Sequence, residues 1–309
     1  MPSEPTHPQH PQHPSPPAPP QHPGAAHPQA THPQALPPRT TPSRGAHPDR
    51  THPEGPHPVP ALPDRVGDAF RHATQVAGEP VRTFHPRRAA LGPRRSDALA
   101  RVWPRYGFSV HDPALGLAPT TPAGTLDVRA LFGRSAPLVL EIGSGMGEAA
   151  AAMAAADPDR DYLAVEAHLP GVANLLALLD ERALTTVRVA YGDALELVRQ
   201  VVAPDSLAAV HIFFPDPWPK ARHHKRRIVA TEHVALLRSR LALGGTLHCA
   251  TDWEPYAEQM RDVLTADPGL TLQHGGYAPR PASRPQTRFE QRALAAGRPI
   301  RDLLATRSS

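Results

Sequence analysis

Beyond residue 135 the chain alternates two hydrophobic rhythms. Short apolar runs, APLVLEIG, DYLAVEA, TVRVAYGD, LAAVHIFFPDP and TLHCATDW, are bounded by turn residues and read as buried strands. Between them lie EAAAAMAAADP, LPGVANLLALLDERAL, ALELVRQVV and TEHVALLRSRLALGG, with a further stretch over about 254–266, all helical in pattern. The joins are short. Alternation of this kind predicts an α/β fold, a doubly wound and mostly parallel sheet covered on both faces. The last segment, TRFEQRALAAGRPIRDLLA, is less regular and is read as a source of edge strands.

Upstream the rhythm is lost. Residues 1–63 are low complexity, beginning HPQHPQHP, with almost no large apolar side chains. Such a segment cannot bury enough surface to offset its ordering entropy, so a disordered, extended tail is expected. Proline at every second or third place also prevents its histidines from forming a compact ligand set, and no metal site is expected. Residues 64–130 form a second region, an arginine-rich arm ahead of a main domain over 131–309. It carries Arg82, Arg87, Arg88, Arg94, Arg95, Arg101 and Arg105. Ser96 is the expected cap of a short helix over 97–103. The arginines read as a solvated basic face or, more sharply, as RNA-phosphate contacts.

Composition adds limits. The chain has 309 residues with 41 prolines and 19 histidines, and about half of the prolines precede residue 64. A formal charge of +4 and a pI near 9.6 favour an acidic or polyanionic partner. The single cysteine, Cys249, excludes an internal disulfide and reads as a small packed residue. There is no apolar run long enough to span a bilayer and no signal-like N-terminus, so a cytoplasmic location is expected.

Candidate chemistry begins at LEIGSGMGE. Gly143, Gly145 and Gly147 allow a sharp turn and close approach of a ligand. A dinucleotide fingerprint requires glycine at 148, where this chain has Glu148. A negative side chain there opposes a pyrophosphate but not S-adenosylmethionine, which carries a positive sulfonium. Glu141 ends the first strand and suits the cationic amino end of that cofactor. Glu166 ends the second and suits a ribose diol, and Asp193 ends the third and suits an adenine amino group. Each alone also fits a helix cap or surface acid.

The fourth strand ends in FFPDPWPKARHHKRRIV. Asp216 sits between Pro215 and Pro217, which stiffen its backbone. Lys220, Arg222, Lys225, Arg226 and Arg227 follow, a candidate phosphate-binding surface beside the reaction centre. Together with VEAH, YGDA, ATDWEPYAEQM and RPQTRFEQRALAAGRPIRDL, this segment resembles the family of tRNA (guanine-N7-)-methyltransferases over roughly residues 81–309. The resemblance implies a class I, Rossmann-like fold, S-adenosyl-L-methionine as cofactor, tRNA as partner and methylation of a guanine in the tRNA variable loop. It implies Asp216 as catalytic residue. On the cofactor it implies Glu141, Gly143, Gly145, Glu166, Asp193 and Asp216. On substrate it implies Lys220, Asp252, Thr287, Arg288, Phe289 and Glu290, and on RNA Arg222, His223, His224, Lys225, Arg226 and Arg227. Arg288 stands where lysine is common, and Ala293 where glycine usually follows. Two competing readings are a small-molecule methyltransferase and a non-catalytic RNA-binding protein on the same fold.

Overall fold

The computed structural model describes residues 83–84 and 90–309. The expected tail over 1–63, and Arg82, Arg87 and Arg88 of the basic arm, lie outside the described residues. The strands are β1 Gly107–Ser109, β2 Leu138–Ile142, β3 Asp161–Glu166, β4 Val187–Tyr191, β5 Leu207–Phe213, β6 Leu241–Thr251, β7 Leu270–Leu272 and β8 Arg301–Arg307. The helices are α1 Pro93–Tyr106, α2 Val128–Phe132, α3 Glu148–Ala156, α4 Leu169–Glu181, α5 Ala194–Gln200, α6 Thr231–Arg240, α7 Glu254–Ala266 and α8 Arg288–Ala295.

The strands form one sheet in the order β1-β4-β3-β2-β5-β6-β8-β7. β1 to β6 run parallel, and β8 runs antiparallel to both its neighbours. Side chains alternate between two cores, as a period of two requires. Leu138, Leu140 and Ile142 face one way with α2, α5, α6 and α7. Val139, Ala164 and Val189 face the other with α1, α3 and α4. This is the doubly wound architecture expected. Cys249 is fully buried in the first core, and burial pushes its thiol up to about 12.

Three local expectations are corrected. Helix α1 starts at Pro93, and Ser96 lies inside it; the cap residue is Gly92. Proline at the first turn lacks only an amide that would have been unbonded anyway, and the Gly92 carbonyl accepts from Arg95 and Ser96 at 3.0 Å each. Helix α6 stops at Arg240, and LALGG opens β6 instead, because Leu241 pairs with Leu207 before the register shifts. TRFEQRALA is largely α8, and β8 lies inside the sheet between β6 and β7 rather than at an edge. The edges are β1 and β7. Since β1 pairs with β4, residues 93–132 are built into the same layers as the main domain.

Candidate active site

Chain order along the sheet reverses at β2: β3 and β4 build outward on one side, then β5 and β6 on the other. Ligands bind open α/β sheets at the carboxyl ends of the strands beside such a switch point. The glycine turn follows β2 and the PDPWP loop follows β5, so both flank it. Across the sheet, the acids following or ending the strands run Asp193, Glu166, Glu141, Asp216 and Asp252.

Glu141 is buried at 3% exposure, and its Oε2 has no hydrogen-bond partner. Burial, then repulsion from Glu166, raises its carboxyl to about 8. Glu166 bonds the turn itself: Oε2 accepts from the Gly145 amide and Oε1 from the His168 amide, each at 2.7 Å. Burial dominates its rise to about 7, against the amide bonds that lower it, with a further push from Asp216. Glu166 thus lies within electrostatic reach of both Glu141 and Asp216. Ser144 Oγ is also buried there without a partner. A Cβ added to Gly143 or Gly145 would meet nothing within 4 Å. A cradle with open space, unpartnered polar atoms and two acids that a nearby positive charge would deprotonate suits a cationic ligand.

The turn is backed by α4. A Cβ on Gly171 would stand 2.1 Å from the Gly145 carbonyl oxygen, so only glycine permits this contact. Asn174 Nδ2 donates to the Met146 carbonyl at 2.7 Å. Its Oδ1 accepts from Arg94 at 3.3 Å and Arg95 at 3.4 Å. Arg94 also pairs with Glu181 at 2.7 Å, and Arg101 with Asp97 and Asp180 at 2.8 and 3.1 Å. These arginines of the basic arm are therefore engaged within the fold.

Asp193 is the N-cap of α5, its Oδ1 accepting from Leu195 at 2.8 Å and Glu196 at 3.4 Å. Asp216 lies between two residues held at positive φ, Phe214 at 51° and Trp218 at 45°. Non-glycine residues occupy that region at a cost, and such strain clusters at functional sites. Trp218 Nε1 donates to the Thr83 carbonyl at 3.2 Å, and the Arg226 guanidinium lies 4.5 Å from its ring centre.

The cationic segment divides. Residues 221–226 form a short 3-10 turn with no buried member, and Lys220, Arg222, His224 and Lys225 are exposed. Arg227 departs from the expected RNA-facing set. It is 2% exposed, donates to the Pro217 carbonyl at 2.9 Å and to Gln259, and stacks 4.7 Å from the Tyr256 ring.

The expected substrate residues also divide. Thr287 caps α8 by accepting from the Glu290 amide at 3.1 Å. Phe289 is exposed, and Arg288 reaches Glu148 beside the glycine turn at 3.1 Å. Asp252 accepts from Arg298 at 2.9 Å. Glu290, expected to contact substrate, is 2% exposed and bonded to Arg284.

The family model described as "Putative methyltransferase" matches residues 135–303. The tRNA (guanine-N(7)-)-methyltransferase of Streptomyces avermitilis is 52% identical over 229 residues, 74% of this chain and 75% of that protein. That of Streptomyces coelicolor is 50% identical over 229 residues, covering 74% and 81%. That of Bordetella pertussis is 48% identical over 228 residues, covering 74% and 85%. The chain belongs to the tRNA (guanine-N(7)-)-methyltransferase family.

As a member of that family it is a methyltransferase. Sequence reasoning missed Gly171, Asn174 and Arg284 in this methyltransferase. Gly171 had a readable signal, a glycine in the first turn of a helix, where it costs stability unless close approach requires it. No helix among the described residues is long and apolar enough to cross a membrane.

Proposed function

We propose that the protein transfers a methyl group from S-adenosyl-L-methionine to N7 of a guanine in the variable loop of tRNA. The observation that carries this reading is the buried, unpartnered Glu141 Oε2 next to Glu166 at the switch point, with an exposed cationic turn following the adjacent strand β5. Glu141, Ser144, the 143–147 turn and Glu166 would hold the cofactor, with Asp193 toward its base. When bound, that cofactor supplies an electrophilic methyl on a positive sulfur.

Guanine N7 has a free lone pair at neutral pH, so no side chain has to remove a proton before attack. The residues' task is orientation, which can supply several kcal/mol once reacting atoms are held close. Asp216, on stiff backbone, would hold the purine edge and favour the positive charge that develops on it. Lys220, Arg222, His224 and Lys225 would contact phosphates, while Asp252, Thr287, Arg288 and Phe289 would border the nucleotide. The exposed turn favours a nucleic acid over a small acceptor, and the intact row of acids favours catalysis over binding alone.

Incubation with tRNA and labelled S-adenosylmethionine tests the reading. Label is expected in the RNA, with none passing to free guanosine. Transfer to free guanosine but not to tRNA would contradict it.

A further inference from the structure

Arg284 lies outside every segment assigned above to cofactor or phosphate, yet it is 1% exposed and fully engaged. Its Nη1 donates to Glu290 Oε2 at 2.5 Å and its Nη2 to Oε1 at 3.3 Å. Its Nε and Nη2 also donate to Asp302 Oδ1 and Oδ2, at 2.7 and 2.9 Å. Asp302 Oδ1 in turn meets His248 Nε2 at 2.7 Å. The guanidinium also lies 5.8 Å and 5.7 Å from the ring centres of Phe213 and Phe214.

Those contacts join three segments that are distant in sequence. Glu290 is in the first turn of α8, beside Thr287, Arg288 and Phe289. Asp302 is in β8. Phe213 ends β5 and Phe214 follows it, two residues ahead of Asp216. The planar fork of arginine meets both carboxylates in bidentate fashion, a geometry that the single nitrogen of a lysine ammonium cannot reproduce. Helix α8 buries only Glu290 and Ala293 of its own residues, so this buried pair is a main tie to the body.

We infer that Arg284 is a positioning residue that docks α8 against the β5 loop, fixing the Thr287–Phe289 rim relative to Asp216. Glu290 acts through it: its carboxylate is the far half of the dock. The consequence for turnover rests on the function proposed above. The docking itself does not.

Arg284→Lys tests both parts by kinetics, calorimetry and hydrogen exchange on the full chain. The affinity for S-adenosylmethionine is expected to stay within about twofold of wild type, because the glycine turn is untouched. The kcat on tRNA is expected to fall about tenfold or more, the order lost when a reacting pair is misaligned. Exchange is expected to quicken over 287–296 while β2 to β5 keep their protection. Wild-type kcat, or exchange that rises equally across the sheet while cofactor affinity falls in step, would overturn the inference. Glu290→Gln serves if the lysine variant does not fold; it keeps the shape of the dock, and wild-type exchange over α8 would overturn the inference there too. Should wild type fail to methylate tRNA, the exchange arm still decides the docking.

Discussion

The carboxylate of Glu166 accepts a hydrogen bond from the amide of Gly145 at 2.7 Å, closing the glycine turn from the neighbouring strand. The same side chain is the one proposed to meet a ribose diol, so one carboxylate would both shape the turn and hold the ligand. Glu166→Gln replaces one of its two acceptor oxygens by a donor. Charge-assisted bonds of this kind contribute about 1.5–3 kcal/mol. Affinity for S-adenosylmethionine, measured by calorimetry, is expected to fall about tenfold or more, with the sheet still folded by circular dichroism.

Glu141 makes the stability of the ligand-free protein depend on pH. Its folded-state value, about 8, lies above its ordinary 4.5. The folded state therefore holds its proton more tightly, and this contribution is complete below pH 4.5 and lost as pH rises through 8. Glu166 adds loss up to about 7. His211 works oppositely: burial lowers it from 6.5 to about 3, so its cost falls below pH 6.5. Between pH 6.5 and 8.5 the acids dominate, and folding stability is expected to fall by up to about 1.4 kcal/mol per pH unit per titrating group, with Tm falling alongside. Glu141→Gln should flatten most of that slope.

Neighbouring arginines should behave differently. Replacing Arg222 and Lys225 with alanine is expected to raise KM for tRNA and to reduce the salt slope of binding by about one or two phosphate contacts. The melting temperature should change little, since both are exposed. Arg227→Ala is expected to destabilise the fold by about 3 kcal/mol, through lost packing on Tyr256 and unmet partners at Pro217 and Gln259. Denaturant titration separates the two outcomes.

Gly171→Ala places a Cβ against the Gly145 carbonyl, an atom that cannot swing away as a side-chain tip can. Loss of most cofactor affinity is expected, with calorimetry as the check. Gly171 is helical and carries no positive φ, so the clash acts alone there; Gly244→Ala, strained at a φ of 77° but with its added Cβ meeting nothing within 4 Å, shows what backbone strain without a clash does.

The sheet was legible because its strands are continuous apolar runs, and a parallel sheet then forces Glu141, Glu166, Asp193 and Asp216 to one edge. What those acids do locally was not legible. Asp193 is a cap, one of the roles its position allowed, through the amides that follow it, whereas Glu166 clamps the amide of Gly145, 21 residues upstream. The split between Arg226 and Arg227 depends on Tyr256 and Gln259, about thirty residues downstream. Helix α8 has too few buried apolar positions to declare itself by pattern. The dock made by Arg284 was not legible, because Asp302 and the end of β5 lie in other segments of the chain.

Position-specific detection of the product tests the central claim most directly. Treated tRNA is cleaved with borohydride and aniline, which break the chain at N7-methylguanosine. Wild-type protein is expected to give a single cut in the variable loop, and Asp216→Ala to give little or none while still folding and binding tRNA. Label in the RNA without cleavage, or equal cleavage by the Asp216→Ala protein, would contradict the account.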